Sequence, residues 1–252
     1  MARLKDKTAF ITGSSRGIGA SIAKLFAREG AKVALHGRDT QALSAVLAEI
    51  VQTGGETIYV TGDVTKFSDI ESMRWRIERE FGLVDILVAN AGGSFTTPGP
   101  IEQMSEEEWR ASIDGNLTAT FLTIKSFLPH MKERKTGNII TISSAAARRP
   151  YPVAPVAYAA AKAGIEILTQ DLAGQVGPYA IRVNCIAPET TLTERNRARI
   201  RSAQQQHLIE SHPIRRLGTP EDVAHAALYL ACDEAAWITG IILDVAGGAV
   251  MV

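Results

Sequence analysis

Thr8-Ala9-Phe10-Ile11-Thr12-Gly13-Ser14-Ser15-Arg16-Gly17-Ile18-Gly19 is the first patterned stretch of the chain. A brief apolar run ends in a glycine cluster, and an amphipathic run, Ile18–Glu29, follows directly. The pattern predicts strand, tight turn, helix. Glycine is needed where backbone turns sharply, where it approaches a pyrophosphate, and where a helix packs closely on a strand. The free N–H groups and positive dipole end of the helix then suit phosphate oxygens. A tight turn without a ligand would use glycine too. The place of this cluster, after the first strand and at the mouth of the first helix, favours a nucleotide site built from Gly13, Ser15, Arg16, Gly17, Ile18 and Gly19.

The same alternation continues outward. Lys32–His36, Thr57–Thr61, Val84–Ala89, Asn138–Ser143, Ile181–Ile186 and Ile241–Asp244 read as further strands, short and largely apolar, as strands buried on both faces should be. Asp39–Gln52, Ser68–Phe81, Glu106–Arg134, Tyr158–Val176 and Pro220–Ala231 read as helices between them. Regular strand–helix alternation predicts right-handed βαβ units and a doubly wound parallel α/β sheet in a single domain, residues 1–252. The 252 residues carry 46% hydrophobic and 21% charged residues, which excludes disorder and coiled coil. Lys plus Arg and Asp plus Glu balance at 27 each, so binding to nucleic acid through overall charge is not expected. Two cysteines make no disulfide framework, and no run is long and apolar enough to span a membrane. The expectation is a soluble cytoplasmic protein.

The second strand ends Leu35-His36-Gly37-Arg38-Asp39. An NAD-selective site places a carboxylate here, about twenty residues past the glycines, for the ribose 2′-hydroxyl. Gly37 stands in that place, and Arg38 follows. Arg38 and Arg16 together suit a 2′-phosphate, so NADP(H) is favoured over NAD(H), with Asp39 read as the next helix's N-cap. Asp63-Val64 and Asn90-Ala91-Gly92 end the third and fourth strands at the sheet edge where ligands bind. Asp63 is placed for the adenine amino group, and the small residues leave room for the cofactor, although Asp and Asn are also ordinary turn residues.

Tyr158 and Lys162 lie four residues apart, on one helix face. An ammonium near a phenol favours the phenolate and lowers its pKa towards the acid/base range. Such a pair is also common helix decoration. Ser143 and Ser144 raise its significance because they end the fifth strand at the same sheet edge. Asn116 is an awkward residue inside a long helical run, and it is expected to open a kink or to set a polar group near Lys162.

With these motifs in this order, and with Pro188 after the sixth strand, the chain resembles the classical short-chain dehydrogenase/reductases along essentially its whole length. It looks most like their 3-oxoacyl-(acyl-carrier-protein) reductase branch. The resemblance implies a seven-stranded Rossmann sheet, a homotetramer, and hydride transfer between a nicotinamide and a carbonyl or alcohol. It implies Tyr158 as acid/base, Ser144 rather than Ser143 as the hydroxyl that orients the reacting oxygen, and Lys162 as modulator of Tyr158 and holder of the ribose. Asn116 would support a water relay to Lys162. A non-catalytic dinucleotide sensor on the same fold is disfavoured, because Ser144, Tyr158 and Lys162 are all present. The chain departs from the pattern at Glu189, where glycine is usual; in Arg148-Arg149-Pro150-Tyr151-Pro152, which is proline-rich; and at Ala246, where Asp is common.

The segment 189–217 is the least regular and is expected to form a substrate lid, with one polar helix over Glu194–Ser211. Arg195, Arg197, Arg199 and Arg201 alternate along it, Arg215 and Arg216 follow, and Arg148 and Arg149 face it. These arginines predict a positive entrance and an anionic substrate, unless they form a solvated face of local ion pairs. The five histidines show no metal-ligand spacing, and Trp75, Trp109 and Trp237 are expected to pack helices.

Overall fold

The computed structural model describes residues 2–151, 154–200 and 202–251. Among these residues, seven strands form one parallel sheet: β1 (Thr8–Ile11), β2 (Lys32–Gly37), β3 (Thr57–Thr61), β4 (Ile86–Ala89), β5 (Gly137–Ile142), β6 (Ile181–Pro188) and β7 (Ile242–Val245). Their order across the sheet is β3-β2-β1-β4-β5-β6-β7. The expected doubly wound, seven-stranded Rossmann architecture is therefore present. Alternate side chains explain the two layers. Ala9, Ile11, Val33, Leu35, Val88 and Ile140 pack with Phe26 of α1 (Gly17–Arg28) and Leu228 of α10 (Pro220–Ala231). Their neighbours Phe10, Ala34, Leu87 and Ile139 face the other way, onto α3 (Phe67–Phe81), α5 (Ala119–Arg134) and α7 (Val156–Val176).

The strand order reverses between β1 and β4. Ligand crevices in open parallel sheets form at such a point, beyond the strands' carboxyl ends. The glycine turn after β1 and Asn90-Ala91-Gly92 after β4 meet there.

Two expected helices prove divided. The run over 106–134 splits into α4 (Glu106–Ile113), a π turn (Asp114–Thr118) and α5. Asn116 sits fully buried in that π turn, so the predicted irregularity is real. The lid run splits into α8 (Glu194–Arg199) and α9 (Ser202–Ser211), with Ile200 extended between them. The expected stacking of Arg197 on Arg201 involves a residue outside the described ones, as does the Pro152 of the proline-rich stretch. The tryptophan expectation also needs correction: Trp75 is 61% and Trp237 98% exposed, and Trp75 stacks on Arg79 rather than in a helix seam.

Candidate active site

The glycine turn is fixed from behind. Gly13 and Gly17 hold φ of +66° and +56°, the left-handed region that glycine enters without strain. A Cβ on Gly19 would lie 2.4 Å from the Gly13 carbonyl oxygen, so the helix meets the turn with no room for a side chain. Asn90 Nδ2 donates to the Thr12 and Gly13 carbonyls at 2.9 and 3.1 Å. The Thr12 hydroxyl oxygen accepts from the N–H groups of Asn90 and Ala91 at 3.0 and 2.9 Å. Asn90 thus spends its amide on the loop. Helix α1 begins at Arg16 with extended backbone and no side-chain cap, which leaves its first N–H groups for a ligand.

His36 was not expected to matter. It is buried on β2, and its Nδ1 accepts the Gly13 N–H at 3.1 Å, which obliges Nε2 to carry the proton it donates to Gly62 O at 3.2 Å. The ring is neutral, and burial holds its pKa below the ordinary value. One polar ring therefore ties β1, β2 and β3 beneath the nucleotide end. A histidine inside the apolar run Lys32–Gly37 was the available signal.

At the carboxyl end of β2, Arg38 is exposed, while Arg16 pairs with Asp39. Asp39 also caps α2 (Thr40–Gln52) by accepting the Ala42 N–H at 3.0 Å; that bond and then Arg16 hold its carboxyl below the usual range. The cap expectation is met, but Arg16 already has a carboxylate partner. Asp63 Oδ1 accepts from the Thr65 N–H and hydroxyl at 3.0 and 2.8 Å. The side chain of Val64 lies in the core, so only its main chain faces a ligand site. Ile18 packs against the opposite core layer, and Pro188 is buried at the end of β6.

At the other end of the crevice, Ser144 caps the short α6 (Ala145–Arg148), accepting the Ala146 N–H at 3.2 Å. Ser143 points inward and donates to Glu166 Oε1 at 2.7 Å, so of the two serines only Ser144 engages Tyr158. Glu166 also holds Arg148 at 3.2 Å, and Arg148 meets Asp244 at 3.0 Å. A carboxylate on the apolar face of α7, four residues after Lys162, was the missed signal for this cluster.

Tyr158 and Lys162 do converge, with Lys162 Nζ 5.8 Å from the centre of the Tyr158 ring. The expected electrostatics differ, however. Lys162 is 4% exposed and donates to the Ile142 carbonyl at 2.7 Å, and burial pulls its pKa down to about 8. Tyr158 is raised instead of lowered: desolvation dominates, Ser144 and then Arg195 pull it down, and Glu189 pushes it up. A buried ammonium takes the nearest carbonyl acceptor, and the phenol pays for its lost water. Asn116 donates to Ser112 O and Gly93 O at 2.8 and 3.0 Å and accepts the Gly93 N–H at 3.0 Å. Its side chain therefore clamps the loop after β4 and is not turned to Lys162.

The segment 189–217 crosses the crevice. Its base is closed by the Thr191–Gly218 bridge. Arg195 donates to Ser94 O at 2.6 Å, and Thr193 approaches Gly17, whose Cβ would lie 3.1 Å from the Thr193 methyl. Three of the arginines expected at a positive entrance are engaged within the protein. Arg148 is neutralised by Glu166 and Asp244, Arg216 by Asp222 at 2.6 and 2.8 Å, and Arg215 folds onto the Glu210 carbonyl. These three find a carboxylate or a chain carbonyl close by, Arg149 lies over the Tyr151 ring, and Arg201 lies outside the described residues.

A family model described as "Enoyl-(Acyl carrier protein) reductase" matches residues 13–250. Glucose 1-dehydrogenase 2 of Bacillus subtilis is 39% identical, over 97% of this chain and 95% of that protein. A 3-oxoacyl-[acyl-carrier-protein] reductase of Chlamydia trachomatis is also 39% identical, over 97% and 98%. A crystal structure of the corresponding Brucella melitensis reductase superposes with a TM-score of 0.94 at 33% identity, covering 100% of this chain and 94% of that one. A second such structure from that organism, with bound NAD, gives 0.89 at 33% identity, covering 99% and 95%.

Proposed function

The chain belongs to the short-chain dehydrogenase/reductase family of oxidoreductases, and on that footing we propose that it is an NADP(H)-dependent enzyme interconverting a carbonyl and a secondary alcohol. The observation that carries this reading is the meeting of Ser144, Tyr158 and Lys162 at one end of a crevice whose other end is an uncapped helix behind a glycine turn. The residues fit a dinucleotide. The free N–H groups of α1 would donate to a pyrophosphate at the turn of Gly13, Ser15, Gly17 and Ile18, and Asp63 would accept from the adenine amino group. Ala91, Gly92 and Pro188 would line its nicotinamide half. The nicotinamide supplies or takes the hydride. Ser144 and Tyr158 hold the substrate oxygen, and Tyr158, kept protonated by its surroundings, gives the proton in reduction. Lys162 would turn from Ile142 O to the ribose hydroxyls, while Asn116, in its π turn, holds the loop at Gly93. Segment 189–217 serves as the lid.

Replacing Tyr158 with Phe keeps the ring and removes the proton. Turnover should fall by roughly 10²–10⁴-fold with cofactor binding intact. Retention of more than a tenth of kcat would overturn the assignment.

Cofactor choice rests on Arg38. Arg38→Asp should weaken NADPH by roughly 1.5–3 kcal/mol and leave NADH nearly unchanged, read from the two dissociation constants. Equal binding of both by the wild type would favour the NAD(H) reading, which the engagement of Arg16 by Asp39 and the NAD-bound relative support. Exposed apolar side chains such as Phe121, Ile167 and Trp237 support assembly as a homotetramer, and buried unpaired Cys185 and Cys232 suit a reducing, cytoplasmic setting. A 3-oxoacyl thioester, named for several relatives, is one candidate substrate.

A further inference from the structure

Glu189 is the one residue of the crevice that departs from the expected pattern and also has an atom left over. Its backbone is fixed: its N–H donates to Val245 O at 3.2 Å, and its carbonyl accepts from the Thr191 hydroxyl at 3.0 Å. Its Oε1 accepts from the Thr190 hydroxyl at 3.1 Å, and the Thr190 hydroxyl lies 3.5 Å from that of Tyr151. Its Oε2 is buried and has no hydrogen-bond partner among the described residues. The carboxylate follows Pro188 at the carboxyl end of β6, the sheet edge that also carries Ser144 after β5, and through Thr190 it reaches Tyr151. Its charge raises both Tyr158 and Tyr151, after burial in each case. Tyr151 comes from the loop between α6 and α7, the elements whose N-terminal ends carry the proposed catalytic residues Ser144 and Tyr158.

A carboxylate oxygen stripped of water and left without a donor is an unfavourable arrangement, more so than for a neutral acceptor. Whatever relieves it must donate. A methylene leaves it orphaned, and a carboxylate or phosphate adds repulsion. A hydroxyl fits. We propose that Glu189 is a specificity-determining residue whose Oε2 accepts a hydroxyl of the substrate, so that the enzyme takes polyols and hydroxylated carbonyl compounds ahead of unsubstituted or anionic ones. This rests on the oxidoreductase reading above. Sites built to bond a substrate hydroxyl reject the analogue lacking it far more strongly than an apolar pocket rejects an extra methylene.

A bound nicotinamide would bring a second donor, its carboxamide, and the test separates the two. Oxidation of straight-chain polyols of three to six carbons is compared with that of the matching mono-alcohols, and reduction of hydroxyketones with that of plain ketones and a 3-oxobutanoyl thioester. Each is measured on wild type, Glu189→Gln and Glu189→Gly, with NADPH and NADH dissociation constants alongside. The expected result is a loss in kcat/KM of at least a hundredfold for hydroxylated substrates in Glu189→Gly and less than threefold for the others, with cofactor binding unchanged. Glu189→Gln, which keeps shape and an acceptor oxygen, should recover part of the loss. Equal losses across both classes, a wild-type preference for the thioester, or a tenfold weakening of cofactor binding would overturn the inference. Turnover of no substrate by the wild type with either cofactor would instead bring down the oxidoreductase reading itself.

Discussion

The two ends of the crevice are built differently. At the nucleotide end, polar groups facing the glycine turn are occupied within the protein: Thr12, Asn90 and His36 bond its backbone, and the first N–H groups of α1 are what is left open. At the end that carries Tyr158, the Glu189 Oε2 is buried without a hydrogen-bond partner among the described residues, Lys162 is buried and donates to the Ile142 carbonyl, and the phenol is pushed away from ionisation. The first end is a scaffold that pre-pays the ordering of a loop which must meet a fixed ligand. The second holds its groups in states that only a ligand relieves. These unfavourable states stand where the chemistry is proposed, as expected when functional sites depart from the best local arrangement.

The largest effect should come from disturbing the satisfied end. In Gly19→Ala the new methyl meets the Gly13 carbonyl at 2.4 Å, and that carbonyl is held by Asn90, so neither can give way cheaply. Stability should fall by about 3 kcal/mol, the upper end of overpacking costs, with cofactor binding lost as well. A chemical-denaturation midpoint unchanged from wild type would show that the turn is softer than this contrast requires.

The strained end should respond in the opposite direction. Lys162 is held near 8 against an ordinary 10.5, which corresponds to about 3 kcal/mol of instability below pH 8. Lys162→Met removes the charge and one hydrogen bond, so at pH 7 it should stabilise the protein by about 2 kcal/mol while abolishing activity. Because the folded pKa lies below the unfolded one, wild-type stability should rise between pH 8 and 10.5, and the variant should show no such rise. A less stable Lys162→Met protein at pH 7 would remove the lysine from the strained set.

The smallest effect sharpens the scaffold side. His36 is neutral in the fold and its pKa is depressed below 6.5, so its contribution is complete above pH 6.5 and is lost as pH falls through that value. Protonation would turn Nδ1 from acceptor to donor against the Gly13 N–H. Thermal melts should show Tm dropping below pH 6.5, with a shallower drop in His36→Asn and a loss of about 1 kcal/mol for that variant at pH 8. Identical pH profiles for the two proteins would mean that other groups set the acid limb.

Much of this was legible in the chain. Strand–helix alternation with buried apolar runs such as Ala9–Ile11 and Ile139–Ile142 dictates a doubly wound sheet, because a strand covered on both faces has no other economical packing. The glycine turn and the four-residue interval between Tyr158 and Lys162 are local features, and local spacing survives folding. What the chain could not disclose are states set by neighbours remote in sequence. Lys162 was expected to lower Tyr158, yet its ammonium goes to Ile142, some twenty residues away, and Arg148 leaves the rim for Glu166 and Asp244. Whether a charge is spent on a protein partner, left for a ligand or suppressed by burial depends on distance and desolvation in three dimensions. Residue types and spacings therefore determined the fold and nominated the candidates for the site, and only the tertiary structure decided which of those groups find partners within the protein.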